Sequence, residues 1–142
     1  MKIKNEMNKQ VLSTEQMKSL IKLGVDYGKA SMCECISSEG KQVFITSYSL
    51  SFLPDRDNVT WTVFKVFTLQ DILEMLPKEI IIKKVSYQLN WNPLNGSLRY
   101  DNVSGFEGTI LYGCCYSDEE GILHAAYNTL AWVIENGYLK TE

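Results

Sequence analysis

The sequence has little of what usually announces a function. It contains one histidine, three prolines and no excess of positive charge. A lone histidine with no Ser, Cys or Asp beside it in a local signature is weak ground for acid–base or nucleophilic catalysis. The net charge is -3, and Glu and Asp are interleaved with the lysines. Nucleic-acid binders neutralise phosphates with a basic patch, so nucleic acid is an unlikely partner. Apolar stretches such as Ile80-Ile81-Ile82 fall far short of the roughly 20 residues that span a bilayer. No apolar run follows the charged start Met1-Lys2-Ile3-Lys4-Asn5-Glu6, so no ordinary secretory signal is expected. The expected setting is the cytoplasm, with Cys33, Cys35, Cys114 and Cys115 as reduced thiols.

What is present is the composition of a folded domain. Hydrophobic residues make up 45% of the 142 and charged residues 22%, which argues against wholesale disorder. A chain of this length buries roughly two-thirds of its unfolded surface and needs no metal or disulfide to fold. There is no internal repeat, low-complexity tract or linker. Residues 1–12 read as a flexible N-terminal segment and 13–142 as a single α+β domain.

Three segments have helical periodicity. Ser13-Thr14-Glu15-Gln16 is a capping box, followed by an apolar stripe of Met17, Leu20, Ile21 and Val25, with Gly24 at the C-cap. Thr68 and Asp71 start a second, shorter helix carrying Leu69, Ile72, Leu73 and Leu76, which Pro77 stops. Ser117-Asp118-Glu119-Glu120 reads as another capping box. Leu123, Ala126, Tyr127, Leu130 and Ile134 then form one face up to Asn136-Gly137.

Strands lie between the helices. Val85, Tyr87, Leu89 and Trp91 alternate with Ser86, Gln88 and Asn90, which predicts one buried and one wet face. Asn92-Pro93-Leu94-Asn95-Gly96 is a turn leading to Leu98 and Tyr100 on the returning strand. Residues 109–116 make a further strand. Upstream, residues 42–52 and 59–67 read as strands joined by a loop at 54–58, with another short strand at 31–36. The short connections predict hairpins. The expected fold is therefore a mostly antiparallel sheet of five to six strands with three helices, the C-terminal helix packed on the sheet. The expected core holds Leu20, Ile21, Leu69, Ile72, Leu73, Leu76, Val85, Leu89, Leu123, Ala126, Tyr127, Leu130 and Ile134.

No constellation for chemistry emerges. Cys33 and Cys35 share a strand face, but adjacent Cys114 and Cys115 point to opposite faces, and the spacing does not match zinc pairs. No metal site, cofactor or catalytic residue is expected. The Asp118-Glu119-Glu120 triplet fits a helix N-terminus without any bound ion. Gly105-Phe106-Glu107-Gly108 is not a phosphate loop. Aromatic residues make up 11% of the chain, many of them on strands. Tyr87 and Trp91 read as core, whereas Trp61, Tyr100 and Tyr112 are the candidates for an interaction surface.

Two resemblances bear on function. From Thr68 onward the order helix, strand, strand, strand, helix is similar to that of double-stranded RNA-binding domains. Those domains start the last helix with phosphate-binding lysines, whereas Asp118-Glu119-Glu120 here would repel phosphate. The second rests on sequence: Val11-Leu12-Ser13-Thr14-Glu15-Gln16-Met17, Leu23-Gly24-Val25-Asp26 with Ala30-Ser31-Met32, the run from Phe67 to Ile80, and Ala125-Ala126-Tyr127-Asn128 through Ile134-Glu135-Asn136-Gly137-Tyr138. In these segments the chain resembles an uncharacterised family of small proteins encoded in prophages and mobile elements of gut bacteria. That resemblance covers most of the chain, with the middle strands most divergent. It implies a bacterial or phage cytoplasmic protein with an accessory role, and it brings no catalytic residues.

The expected function is a non-catalytic protein-interaction or accessory module that self-associates or binds an unknown protein, without a membrane. One alternative is a nucleic-acid-associated protein, which predicts a local lysine cluster such as Lys78, Lys83 and Lys84 beside Arg99. The other is a small enzyme using His124 or a cysteine.

Overall fold

Reciprocal side-chain capping starts the first helix, α1 (Thr14–Lys22). The Ser13 hydroxyl accepts from the Gln16 amide at 3.1 Å, and the Gln16 side chain accepts from the Ser13 amide at 3.0 Å. Two of the helix's orphan donors are thereby satisfied within four residues of sequence. The computed structural model describes residues 11–38, 43–47, 60–102, 109–117 and 121–139. Their elements form two compact units, Met1–Asp71 and Ile72–Glu142. Val11 and Leu12 belong to the first. Both are buried, the Leu12 amide donates to the Phe67 carbonyl at 2.9 Å, and Val11 bridges to Thr68.

In the first unit, α1 and a short 3-10 turn (Tyr27–Lys29) precede strands β1 (Met32–Ser37), β2 (Val43–Ser47) and β3 (Trp61–Val66). All pairing is antiparallel, in the order β2-β1-β3. β2 and β3 therefore flank β1 rather than forming the expected hairpin with each other. Their connecting loop at 54–58 lies outside the described residues. Met17, Leu20, Val25, Cys33, Cys35, Val66 and Phe67 are buried, while Ile21 is only half-buried.

Helix α2 (Leu69–Met75) has the expected cap. The Asp71 amide donates to Thr68 Oγ1 at 3.1 Å, and Asp71 Oδ2 accepts from the Thr68 amide at 3.0 Å. The same carboxylate oxygen accepts from the Ser31 amide and hydroxyl at 3.0 and 2.9 Å, so this nearly buried charge is well supplied with donors. Ile72 and Leu76 are buried, and Leu69 and Leu73 half-buried.

The second unit contains β4 (Glu79–Ile82), β5 (Val85–Asn92), β6 (Ser97–Asn102), β7 (Thr109–Cys115) and α3 (Gly121–Glu135). The strands pair antiparallel in chain order, and α3 packs on β6 and β7. The fold is thus α+β with antiparallel sheets and a C-terminal helix on a sheet, as expected. The strands are divided between a three-stranded and a four-stranded sheet. β4 is an additional strand, so the order after α2 departs from that of double-stranded RNA-binding domains. The buried stripe of α3 is Ala125, Ala126, Thr129, Leu130 and Val133. It is rotated about a quarter turn from the expected face, leaving Leu123, Tyr127 and Ile134 half-buried. A helix apolar on most sides does not mark its own inner face. Before it, the Gly121 amide donates to the Ser117 carbonyl at 2.8 Å, and Gly121 adopts φ +74°. The helix starts there, and Asp118, Glu119 and Glu120 lie outside the described residues.

Candidate functional site

Register assigns each side chain of the four-stranded sheet to a face. Ile80 pairs with Tyr87, Leu89 with Tyr100, Trp91 with Leu98, and Tyr100 with Tyr112. Directly paired residues share a face, so these side chains line the face that carries α3. Beneath the helix, Leu98 and Tyr100 are fully buried. The Trp132 ring of α3 stacks on Tyr112 at 4.5 Å and lies tilted 6.1 Å from Tyr100, with Tyr138 on it at 5.4 Å. The Tyr100 hydroxyl donates to the Pro77 carbonyl at 2.6 Å, and burial pushes its phenol well above the usual range. Burial is also the main cause that raises the Tyr112 phenol.

The opposite face is mostly polar. Ser86 donates to Glu79 at 2.6 Å, Asn90 donates to Asp101, and Arg99 Nε lies 2.9 Å from Asp101 Oδ2 in an ion pair without hydrogen-bond alignment. Two apolar side chains interrupt this face, Ile81 on β4 at 64% exposure and Ile110 on β7 at 53%.

The hairpin between β5 and β6 carries exposed apolar side chains. Asn92 Oδ1 accepts from the Leu94 amide at 3.0 Å, which shapes the turn. Gly96 closes it at φ +64°, and a Cβ there would sit 2.8 Å from the Tyr116 carbonyl oxygen. Only glycine fits. At this tip Leu94 is 96% exposed and Trp91 46%. The Trp91 indole is held in place because its Nε1 donates to the Tyr116 hydroxyl at 2.8 Å.

The expected interaction residues are distributed differently. Tyr100, expected on an open surface, is fully buried and is excluded from one. Tyr112 is half-buried under Trp132, and Trp61 is half-buried at the start of β3 in the other unit. Trp91, expected in the core, is 46% exposed. The reason is the placement of α3, which covers β6 and β7 but leaves the end of β5 uncovered by the helix. The signal available in the sequence was the turn itself, because Leu94 between Pro93 and Asn95 has no strand neighbours to bury it.

Cys33 and Cys35 are fully buried on one face of β1 with sulfurs 3.7 Å apart. Desolvation, reinforced by Cys33, pushes the Cys35 thiol up to about 11, which makes it a poor nucleophile. Cys114 is half-buried and Cys115 exposed, on opposite faces as expected. Among the described residues, no three His, Cys, Asp or Glu side chains are grouped to hold a metal. His124 is half-buried in the first turns of α3. Lys78 and the Lys83-Lys84 pair stand at opposite ends of β4, roughly 17 Å of extended chain apart. Arg99 is paired with Asp101. Among the described residues, no helix is long and apolar enough to cross a membrane. The chain matches no family model, no curated protein and no solved structure.

Proposed function

We propose that this protein is a non-catalytic protein-interaction module whose second unit carries the binding surface. The observation behind this reading is the hairpin tip, where a Trp91 ring fixed by Tyr116 stands three residues from an almost fully exposed Leu94. An aromatic side chain already immobilised loses little entropy when a partner covers it, and such anchors dominate interface energetics. The sequence resemblance to prophage and mobile-element proteins supports an accessory role in a bacterial or phage cytoplasm.

Affinity capture from the cells that make the protein tests the reading. Wild type and a Trp91→Ala, Leu94→Ser variant are compared as bait. The expected outcome is a partner retained by wild type and lost at least tenfold with the variant, which corresponds to about 1.4 kcal/mol. An identical set of bound proteins for both baits would remove the tip as the site. Both side chains are exposed, so the variant is expected to keep its fold.

A further inference from the structure

The two edges of the four-stranded sheet are built differently. β4 forms one edge. It is only four residues long, opens on Lys78-Glu79 and runs into Lys83-Lys84. Short length and flanking charge are the means by which sheets keep an edge from recruiting another strand. β7 forms the other edge. It has seven residues, Thr-Ile-Leu-Tyr-Gly-Cys-Cys, with no charge and no proline. Among the described residues, no strand pairs with its outer side. Ile110, Gly113 and Cys115 are exposed along it on the face away from α3. A register shift at Leu111 interrupts its ladder with β6, but no charge or proline guards this edge.

We infer that β7 pairs antiparallel with β7 of a second copy of this chain, joining the two four-stranded sheets edge to edge. This goes beyond the protein-interaction reading, which concerns the hairpin tip, and assigns a second surface. A strand paired with itself about a two-fold axis is self-complementary, since each residue finds the same partner from both sides. The usual obstacle to such pairing is a charge facing its own twin, and β7 has no charge to place there. An acidic or basic foreign peptide would find no opposite charge along this strand. One strand pair with the flanking Ile110 side chains buries less than the roughly 1,200 Å² of a standard interface, so the dimer is weak and concentration-dependent.

Sedimentation velocity in reducing buffer, from low to high micromolar protein, tests this for the full chain. The expected result is a reversible monomer–dimer equilibrium that Ile110→Lys with Cys115→Lys weakens by about tenfold or more. Hydrogen exchange of wild type supplies a second readout that does not depend on the variant folding: amides of 109–115 are expected to slow as concentration rises. A monomer at every concentration with unchanged β7 exchange overturns the inference. So does a dimer that is indifferent to the lysines and gives β7 no protection. Protection of β7 only when another protein is added assigns the edge to a foreign strand and also overturns self-pairing. In that case, or if the monomer still loses its captured partner in the Trp91 and Leu94 variant, the interaction reading stands without this one.

Discussion

Cys35 faces the interior of the first unit with its thiol protonated, and that has a consequence for stability. Its folded value of about 11 lies above the ordinary value of 9.0, mainly through desolvation. Between those two values the folded state holds a proton that the unfolded state has released, so stability is full below pH 9 and falls as pH rises toward 11. The loss expected is on the order of 2–3 kcal/mol. Urea unfolding across that range checks it, with Cys35→Ala as the reference: the variant should show the shallower dependence. Equal slopes would mean that other groups account for the whole effect. At the same scale, the two sheet aromatics Tyr100 and Trp91 exchange the environments that alternation suggests. Alternation correctly places both on one face with Leu89 and Leu98. It carries no information about where α3 lies across that face, and this decides that Tyr100 is buried and Trp91 exposed. The candidate site was therefore legible as aromatic strand residues but not as the right ones.

The helices were the most legible elements because their signals are local. Ser13 with Gln16, and Thr68 with Asp71, are each three residues apart and make the hydrogen bonds that their spacing predicts. Strand partners are non-local, so nothing in residues 32–66 announced that β1 is central. β4 was missed for a specific reason. Its hairpin with β5 closes through Lys83-Lys84, where Ile82 pairs with Val85 and both lysines have positive φ, 51° and 70°. That backbone normally selects Asn-Gly, and lysine is not a turn signal. A left-handed conformation costs a residue with a Cβ about 1 kcal/mol or more. Replacing the pair by Lys83→Asn with Lys84→Gly is expected to stabilise the protein by about 1 kcal/mol, read as a higher urea midpoint at unchanged slope. A lower midpoint would show that the lysines make stabilising interactions that outweigh the strain.

At the scale of the whole molecule, charge and exposure are unevenly placed on the second unit. Lysines bracket β4, an ion pair and amide hydrogen bonds occupy the polar face beside single exposed Ile81 and Ile110 side chains, and two exposed apolar side chains, Trp91 and Leu94, share the hairpin tip. Exposed apolar groups grouped in this way, rather than scattered, mark binding surfaces. The most direct test of the central claim places a photo-crosslinking side chain at Leu94, with a second chain carrying it at exposed Lys18 as the control. Irradiated in the cells that make the protein, the position-94 chain should link to a defined protein that the position-18 chain does not reach. Equal and unspecific labelling from both positions would contradict the assignment of the tip as the binding surface.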